Sequence, residues 1–182
     1  MLISLIGLPG VGKSAIGRRL AQRLALAFVD CDALLEKRCR SPIRELFEAE
    51  GEDRFRDLEA TLLAELVFTS NAVIATGGGV VVREANRQLL RTRTVCVYLN
   101  AQPDALIHRL KNDTKRPLLQ VADPEARLRE LSSERQALYR AAATFELETR
   151  GQSLNELVDA ILQEVTLLKV KLPATDSAAN SD

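Results

Sequence analysis

The eight residues "GLPGVGKS", at positions 7–14, constrain the fold of this chain more than any other stretch. They match the pattern G-x-x-x-x-G-K-[ST], in which successive backbone N–H groups surround phosphate oxygens. The apolar run "LISLI" at 2–6 precedes them, and Ile16, Leu20 and Leu24 follow at helical spacing. A buried strand, a glycine-rich loop and a helix in this order predict a nucleoside triphosphate site. These flanking elements disfavour the alternative, an incidental turn between a strand and a helix.

Each residue type in this loop has a physical role in phosphate binding. Gly7, Gly10 and Gly12 permit the tight curl of the chain. The N-terminus of the following helix adds partial positive charge. We expect Lys13 to bridge the β- and γ-phosphates and Ser14 to ligate Mg²⁺.

Strand patterns alternate with helical patterns along the rest of the chain. Further strands are predicted at 27–32, 72–76, 94–100 and 144–148. The segments 72–76 and 94–100 are almost entirely apolar, which is typical of strands buried on both faces of a parallel sheet. This alternation predicts an α/β fold with a central parallel sheet.

The composition is that of a globular protein with no strong bias towards charged partners. The 182 residues include 25 basic and 25 acidic side chains, which leaves no net field to attract nucleic acid or an anionic membrane. No apolar run approaches the length of a membrane span, and the N-terminus does not have the pattern of a signal peptide. Three cysteines without metal-ligand spacing favour a reducing, cytoplasmic setting.

Two carboxylates follow the second predicted strand, in "FVDCD". Asp30 and Asp32 stand two residues apart, which places them on the same side of an extended chain. One could hold Mg²⁺ while the other orients or deprotonates an attacking hydroxyl. The alternative is an acidic loop that caps the next helix.

Three consecutive glycines, Gly77, Gly78 and Gly79, follow the third predicted strand. They lie at the carboxyl edge of the sheet, where ligands bind in such folds. Backbone without a Cβ can approach a small ligand and donate N–H groups to its hydroxyls. The alternative is a bulge or tight turn, although such a feature usually needs only one glycine.

Arginines are placed where an anionic acceptor and a transferring phosphoryl group could be held. Arg56 could clamp a carboxylate bidentately, and one of the arginines in "SERQALYR", Arg135 or Arg140, could be a second clamp. The polar, proline-interrupted segment at 111–123 is typical of a mobile lid, which would carry Arg116 onto the phosphoryl group. The alternative for each arginine is a solvated helix face.

The ordered motifs "GLPGVGKS", "FVDCD", "GEDRFRDLE", "GGGVV", "RPLL" and "RQALYR" resemble those of the shikimate kinase family. The resemblance implies phosphorylation of the 3-hydroxyl of shikimate by ATP and Mg²⁺, on the route to chorismate and the aromatic amino acids. It also implies a P-loop NTPase fold like that of nucleoside monophosphate kinases. This is a three-layer α/β/α arrangement with a five-stranded parallel sheet of order 2-3-1-4-5.

The resemblance also implies roles for individual residues. The phosphate cradle comprises Gly10, Val11, Gly12, Lys13, Ser14 and Ala15, of which Ala15 offers only its backbone. Ser14 ligates Mg²⁺ and Asp30 supports it, while Asp32 binds the shikimate hydroxyls and acts as base or orienting group. Arg56 and Arg135 hold the carboxylate, Gly78 contacts the substrate through its backbone, and Arg116 acts from the lid. On the adenine side the resemblance places Arg109 and, in the loop "TRGQS", Gln152.

The predicted organisation is one kinase domain over residues 1–171, with a substrate-binding insert at about 33–60, a lid at about 111–123 and a disordered tail at 172–182. We expect a monomer. Two rival functions remain open on the sequence. One is another small-molecule kinase of the same fold, such as a gluconate kinase, which would not need both "FRDLE" and "GGGVV". The other is a binding module without turnover, although such proteins usually lose the loop lysine, the aspartate or the lid arginine.

Overall fold

A single five-stranded parallel sheet forms the centre of the molecule. The computed structural model describes residues 1–68, 71–110 and 117–171. The strands are β1 (Leu2–Ile6), β2 (Ala27–Asp30), β3 (Ala72–Ala75), β4 (Val95–Asn100) and β5 (Phe145–Glu148). They are arranged in the order β2-β3-β1-β4-β5, and every neighbouring pair is parallel. This confirms the predicted α/β class and the implied strand order.

Helices cover both faces of this sheet. They are α1 (Lys13–Leu24), α2 (Cys31–Cys39), α3 (Ile43–Leu66), α4 (Glu84–Arg93), α5 (Pro103–Leu110), α6 (Pro124–Ala142) and α7 (Leu154–Lys171), with short 3₁₀ turns at Val80–Val82 and Pro117–Leu119. α1 packs against α7, and α6 packs against α4 and α5. No helix in the part of the chain described is long and apolar enough to cross a membrane.

Local sequence signals explain where several helices begin. The Asp123 carboxylate accepts a hydrogen bond from the Ala126 amide, 2.9 Å away, and caps α6. Ser153 and Glu156 each bond to the other's backbone N–H, so a capping box starts α7. At α3 the N-cap is Pro42, and Ser41 lies outside the helix.

The structure corrects the argument that placed Asp30 and Asp32 on one side of an extended chain. β2 ends at Asp30, whose carboxylate caps α2 by accepting a hydrogen bond from the Ala33 amide. Asp32 therefore lies in the first helical turn, not on the strand. The extended spacing does not apply, because an aspartate at a strand end also starts a helix well.

The hydrophobic core has two parts. A large cluster surrounds the sheet, and a smaller one lies beneath α2 and α3. The smaller cluster includes Leu35, Phe55, Leu62 and Ile74. α3 is kinked at Gly51, where φ is 80° and ψ is 170°, so residues 43–50 and 52–66 form two helical segments. The second segment carries Arg56.

Candidate active site

The phosphate loop lies between β1 and α1, and residues of β4 and α5 pack closely against it. All three of its glycines have positive φ, a conformation that glycine adopts without strain. A Cβ added to Gly7 would lie 2.5 Å from the Leu99 carbonyl oxygen, and one added to Gly10 would lie 2.9 Å from Leu110 Cγ. The loop therefore requires glycine at these two positions both for its curl and for its contact with neighbouring elements.

Lys13 is held inside this loop. Its side chain is almost fully buried, and its Nζ donates hydrogen bonds to the carbonyl oxygens of Gly7 and Leu8, at 2.8 and 2.9 Å. These bonds fix the ammonium group beside the backbone of the phosphate loop. The geometry suits the predicted phosphate-binding role, because a compact positive charge stands where the loop N–H groups already favour an anion.

Two hard oxygen groups meet at the start of α1. Ser14 Oγ donates a hydrogen bond of 2.6 Å to Asp30 Oδ2, so the end of β2 lies beside the phosphate loop. A hydroxyl and a carboxylate next to bound phosphates form a donor set typical of Mg²⁺, which usually binds to one or two carboxylates and substrate phosphates. No group of three or more potential metal-binding side chains is found among the residues described.

A cleft opens next to the phosphate loop, at the carboxyl end of β3. It encloses about 500 Å³ of space, its open mouth included. Its polar lining comes from Asp32, Arg56, Glu59, Gly77, Gly78, Gly79 and Arg135, and its apolar lining from Pro9, Ile43, Phe47, Phe55, Leu118 and Leu119. The structure thus brings the three predicted glycines, both predicted clamp arginines and Asp32 together around one cavity.

Arg56 is buried in this cleft and already bonded to two carboxylates. Its Nη1 donates to Glu59 Oε2 at 2.8 Å, and its Nη2 and Nε donate to Glu52 Oε1 at 3.0 and 3.3 Å. The guanidinium also lies 5.3 Å from the centre of the Phe55 ring. The side chain of Glu52 is half-exposed, whereas that of Glu59 is buried.

Arg135 enters the cleft from α6. It is buried, and its Nη1 donates to the Gly78 carbonyl oxygen at 3.2 Å. Tyr139, one helical turn further along, donates to the same oxygen at 2.5 Å. Arg140, the other candidate in this motif, points away from the cleft and forms an exposed ion pair with Glu146.

The glycine run is packed against charged side chains of the chain itself. A Cβ on Gly77 would overlap the Glu59 carboxylate and lie 3.0 Å from Asp32 Oδ1, while one on Gly79 would overlap the guanidinium of Arg56. Gly78 is 3.1 Å from Pro9 of the phosphate loop by the same measure. The three glycines therefore allow the acceptor-side residues and the phosphate loop to converge.

Two buried polar atoms in the cleft have no hydrogen-bond partner among the described residues. They are Glu59 Oε1 and Arg135 Nε. Burial raises the pKa of the Glu59 carboxyl, and the guanidinium of Arg56 opposes that shift. Unpaired buried donors and acceptors are rare in folded proteins, so a site that contains one of each is suited to a polar ligand.

Some predicted site residues are not brought into this cleft. Gln152 is exposed, and its side-chain amide donates to the Glu148 carbonyl oxygen at 2.8 Å. The side chain of Arg109, the whole of Arg116 and the first part of the predicted lid, residues 111–116, lie outside the described residues, as does the predicted tail.

Sequence reasoning gave no role to Glu52, Glu59 or Tyr139. Glu59 stands three residues after Arg56 in "RFRDLE", a spacing at which helical side chains meet, and Glu52 stands four residues before it. That spacing was a usable signal once Arg56 was placed inside a helix. The bond from Tyr139 to Gly78 spans 61 residues of sequence, and nothing local indicates it.

Comparison with known proteins gives a consistent result. The sequence model of the shikimate kinase family matches residues 9–166. A shikimate kinase from Paracidovorax citrulli is 47% identical over 175 residues, covering 94% of this chain and 96% of that protein. The structure of a shikimate kinase from Acinetobacter baumannii in complex with shikimate is similar, with a TM-score of 0.90, 38% identity and coverage of 93% and 94%. The structure from Aquifex aeolicus has a TM-score of 0.81 and 31% identity, and covers 93% of this chain and 99% of that one.

A phosphate loop on a five-stranded parallel sheet, beside a cleft with buried arginines and carboxylates, defines a P-loop kinase for a small acceptor. The family match covers most of the chain. The chain belongs to the shikimate kinase family.

Proposed function

We propose that this protein transfers the γ-phosphoryl group of ATP to the 3-hydroxyl of shikimate. One observation carries the proposal: in the cleft beside the phosphate loop, the acceptor Glu59 Oε1 and the donor Arg135 Nε are buried and have no partner in the described part of the chain. An acceptor molecule that has both hydroxyls and a carboxylate supplies a partner for each. Because Pro9 lines the same cleft, such a molecule would lie next to the phosphate loop.

The carboxylate of the acceptor is proposed to bind Arg56 and Arg135. Both guanidiniums are buried, so ion pairs formed there are little screened by water. Glu52 occupies the Nε–Nη2 edge of Arg56, and an incoming carboxylate would take its place. Glu59, on the Nη1 side, would keep the guanidinium oriented during that exchange.

The hydroxyl that receives the phosphoryl group is proposed to bond to Asp32, whose carboxylate lies beside Gly77 in the cleft. Such a bond directs an oxygen lone pair towards the phosphate loop and gives the hydroxyl proton an acceptor. Most of the rate enhancement would then come from positioning and charge stabilisation, as is usual in phosphoryl transfer. Lys13 and the N-terminus of α1 supply that stabilisation on the nucleotide side. Arg116 and Arg109 are proposed to contribute from the lid and the adenine side.

Mg²⁺ is proposed as the cofactor, held by Ser14 and Asp30 together with ATP phosphates. When bound, it would neutralise charge that develops on the β- and γ-phosphate oxygens. The 2.6 Å bond between Ser14 and Asp30 supports this assignment, since both oxygens already converge on one point.

Residues 1–171 are proposed to form one kinase domain that acts as a cytoplasmic monomer. The three cysteines are free, which suits a reducing compartment. The large exposed hydrophobic side chains of the described residues are far apart in sequence: Phe68, Val82, Val121, Leu154 and Leu167. Light scattering coupled to size exclusion would test the oligomeric state.

The proposed activity is tested by ADP release with ATP and Mg²⁺, comparing shikimate, quinate, gluconate, AMP and no acceptor. We expect turnover that depends on shikimate. Turnover with gluconate or AMP instead would refute the acceptor assignment, and no acceptor-dependent turnover would favour a binding module.

Two matched variants test the site. Arg135→Ala removes a buried guanidinium from the cleft, and a lost charged hydrogen bond of about 1.5–3 kcal/mol corresponds to a rise of about 10- to 150-fold in shikimate KM. Arg140→Ala removes an exposed guanidinium from the same helix and should leave that KM unchanged. Lys13→Ala should instead lower kcat, because its charge acts on the phosphoryl group.

A further inference from the structure

The backbone that follows β3 is held by its carbonyl groups. The carbonyl oxygens of residues 77, 78, 79, 80 and 81 each accept a hydrogen bond. The donors are, in the same order, Val80 N, Tyr139 Oη, Val82 N, Asn86 Nδ2 and Arg87 Nη1. A run of three glycines has more conformational freedom than any other tripeptide, so such anchors are needed to fix it. The four donors other than Tyr139 come from the same segment or from α4, which follows it directly. Tyr139 comes from α6, as does Arg135, a second donor to the Gly78 oxygen.

The Tyr139 hydroxyl donates a buried hydrogen bond to the glycine run. It is 0% exposed, and its hydroxyl lies 2.5 Å from the Gly78 carbonyl oxygen. Burial raises the pKa of the Tyr139 hydroxyl, so it keeps its proton throughout the physiological range. Arg135 donates to the same oxygen from one helical turn away. The Gly78 carbonyl therefore joins the glycine run to a proposed substrate-binding arginine.

We propose that Tyr139 is a positioning residue of the acceptor site, acting through the Gly78 carbonyl and Arg135. The inference rests on the proposed function. Because the peptide unit is planar, holding the carbonyl of Gly78 also fixes the direction of the Gly79 N–H, which belongs to the same unit. Loss of the hydroxyl leaves Arg135 as the donor to that oxygen and allows both the peptide and the guanidinium to shift.

The packing of the Tyr139 ring does not require its hydroxyl group. The Tyr139 ring stacks on Tyr98 with centroids 5.0 Å apart and an interplanar angle of 21°. A phenylalanine ring would fill the same space and stack in the same way. The hydroxyl can thus be removed while the core packing is retained, which makes the two contributions separable.

Tyr98 provides a matched control. It is the other ring of the stacked pair and is also buried, but its hydroxyl donates to Asn100 Oδ1, 3.1 Å away, at the end of β4. Tyr98→Phe therefore removes one buried hydroxyl without touching the glycine run.

The experiment measures Tyr139→Phe, Tyr98→Phe and the wild type in full-length protein, at a temperature where circular dichroism shows all three folded. Shikimate Kd is determined by calorimetry without nucleotide, and KM for shikimate and for ATP by ADP release. We expect Tyr139→Phe to raise shikimate Kd and KM about fivefold, the equivalent of about 1 kcal/mol for one neutral hydrogen bond. Its ATP KM and all constants of Tyr98→Phe should stay within about twofold of wild type.

The proposal is overturned if Tyr139→Phe leaves shikimate Kd and KM within about twofold of wild type. Equal shifts in both variants would also overturn it, because they would indicate a general effect on the core. If the wild type phosphorylates a different acceptor, the proposed function fails on that result alone. The same two variants measured with that acceptor then decide whether Tyr139 is a positioning residue.

Discussion

Glycine at position 79 could be needed for its backbone angles or for the space that a missing Cβ leaves. Gly79→Ala distinguishes these two needs. Gly79 has φ −99° and ψ 0°, a conformation that alanine can adopt. Its added Cβ would nevertheless lie closer than 3.0 Å to three atoms of the Arg56 guanidinium. Since the optimal separation of non-bonded carbon atoms is about 3.5–4.0 Å, the guanidinium must move by about 1 Å or more. The end of a long side chain can make that movement without unfolding the protein.

The magnitude follows from the bonds that Arg56 makes. Its contact with Glu59 is 2.8 Å long, so a shift of this size breaks it and turns the guanidinium away from a substrate carboxylate. A lost charged hydrogen bond is worth about 1.5–3 kcal/mol, which corresponds to a rise in shikimate KM of about 10- to 150-fold. The ATP KM should not change, because the phosphate loop is untouched. Steady-state ADP release at varied shikimate and saturating ATP gives both values.

A double-mutant cycle with Arg56→Ala decides whether the mechanism is right. If alanine at position 79 acts by displacing Arg56, then the double variant should bind shikimate no worse than Arg56→Ala alone. Additive effects would refute the reasoning, and so would a Gly79→Ala protein whose shikimate KM lies within about twofold of wild type.

Three further variants or measurements test other parts of the site. Glu52→Gln should lower shikimate KM by about 1.5- to 5-fold, because it removes a half-exposed carboxylate that competes with the substrate for Arg56. An exposed ion pair of this kind contributes about 0.2–1 kcal/mol. The control Glu50→Gln breaks the exposed pair with Arg54 in α3 and should leave shikimate KM unchanged. Ser14→Ala should raise the Mg²⁺ concentration needed for half-maximal activity several-fold, measured by Mg²⁺ titration at fixed ATP, and an unchanged requirement would contradict the metal assignment. A thiol reagent at pH 8 should label Cys39 alone in the folded protein and all three cysteines in denaturant, because burial raises the thiol pKa of the other two.

The sequence predicted the sheet and the phosphate loop because both are encoded locally. A buried-strand pattern, the glycine spacing and a helical stripe occupy consecutive residues, and the helix caps at Asp123 and Ser153 follow from side chains close to the amides they bind. The prediction of an extended chain failed between Asp30 and Asp32, where two local preferences compete and the alternative of a helix cap holds. An extended chain could have continued past Asp30, but that residue caps a helix, so the chain turns there.

The contacts inside the cleft could not be predicted from the sequence, because they depend on tertiary structure. The sequence indicated that Arg56 and Arg135 could bind a carboxylate, but it could not show that Glu52 and Glu59 already hold Arg56. It explained the glycine run by the approach of a ligand, whereas the atoms nearest to Gly77 and Gly79 belong to the chain's own charged groups. Contacts between residues far apart in sequence depend on how α3 and α6 pack against the sheet, and no local pattern encodes that packing.

The division of the core into two clusters predicts different local stabilities for the two halves of the site. α2 and most of the buried residues of α3 pack in the smaller cluster, although Leu63 belongs to the larger one, and Gly51 interrupts α3. We therefore expect α2 and α3 to open more readily than β1 and α1, which pack in the larger cluster. Opening of this kind removes Arg56 and Glu59 from the cleft but leaves the phosphate loop intact. Amide hydrogen exchange in α2 and α3 should therefore be slowed by shikimate, whereas protection by ATP should be greatest around the phosphate loop.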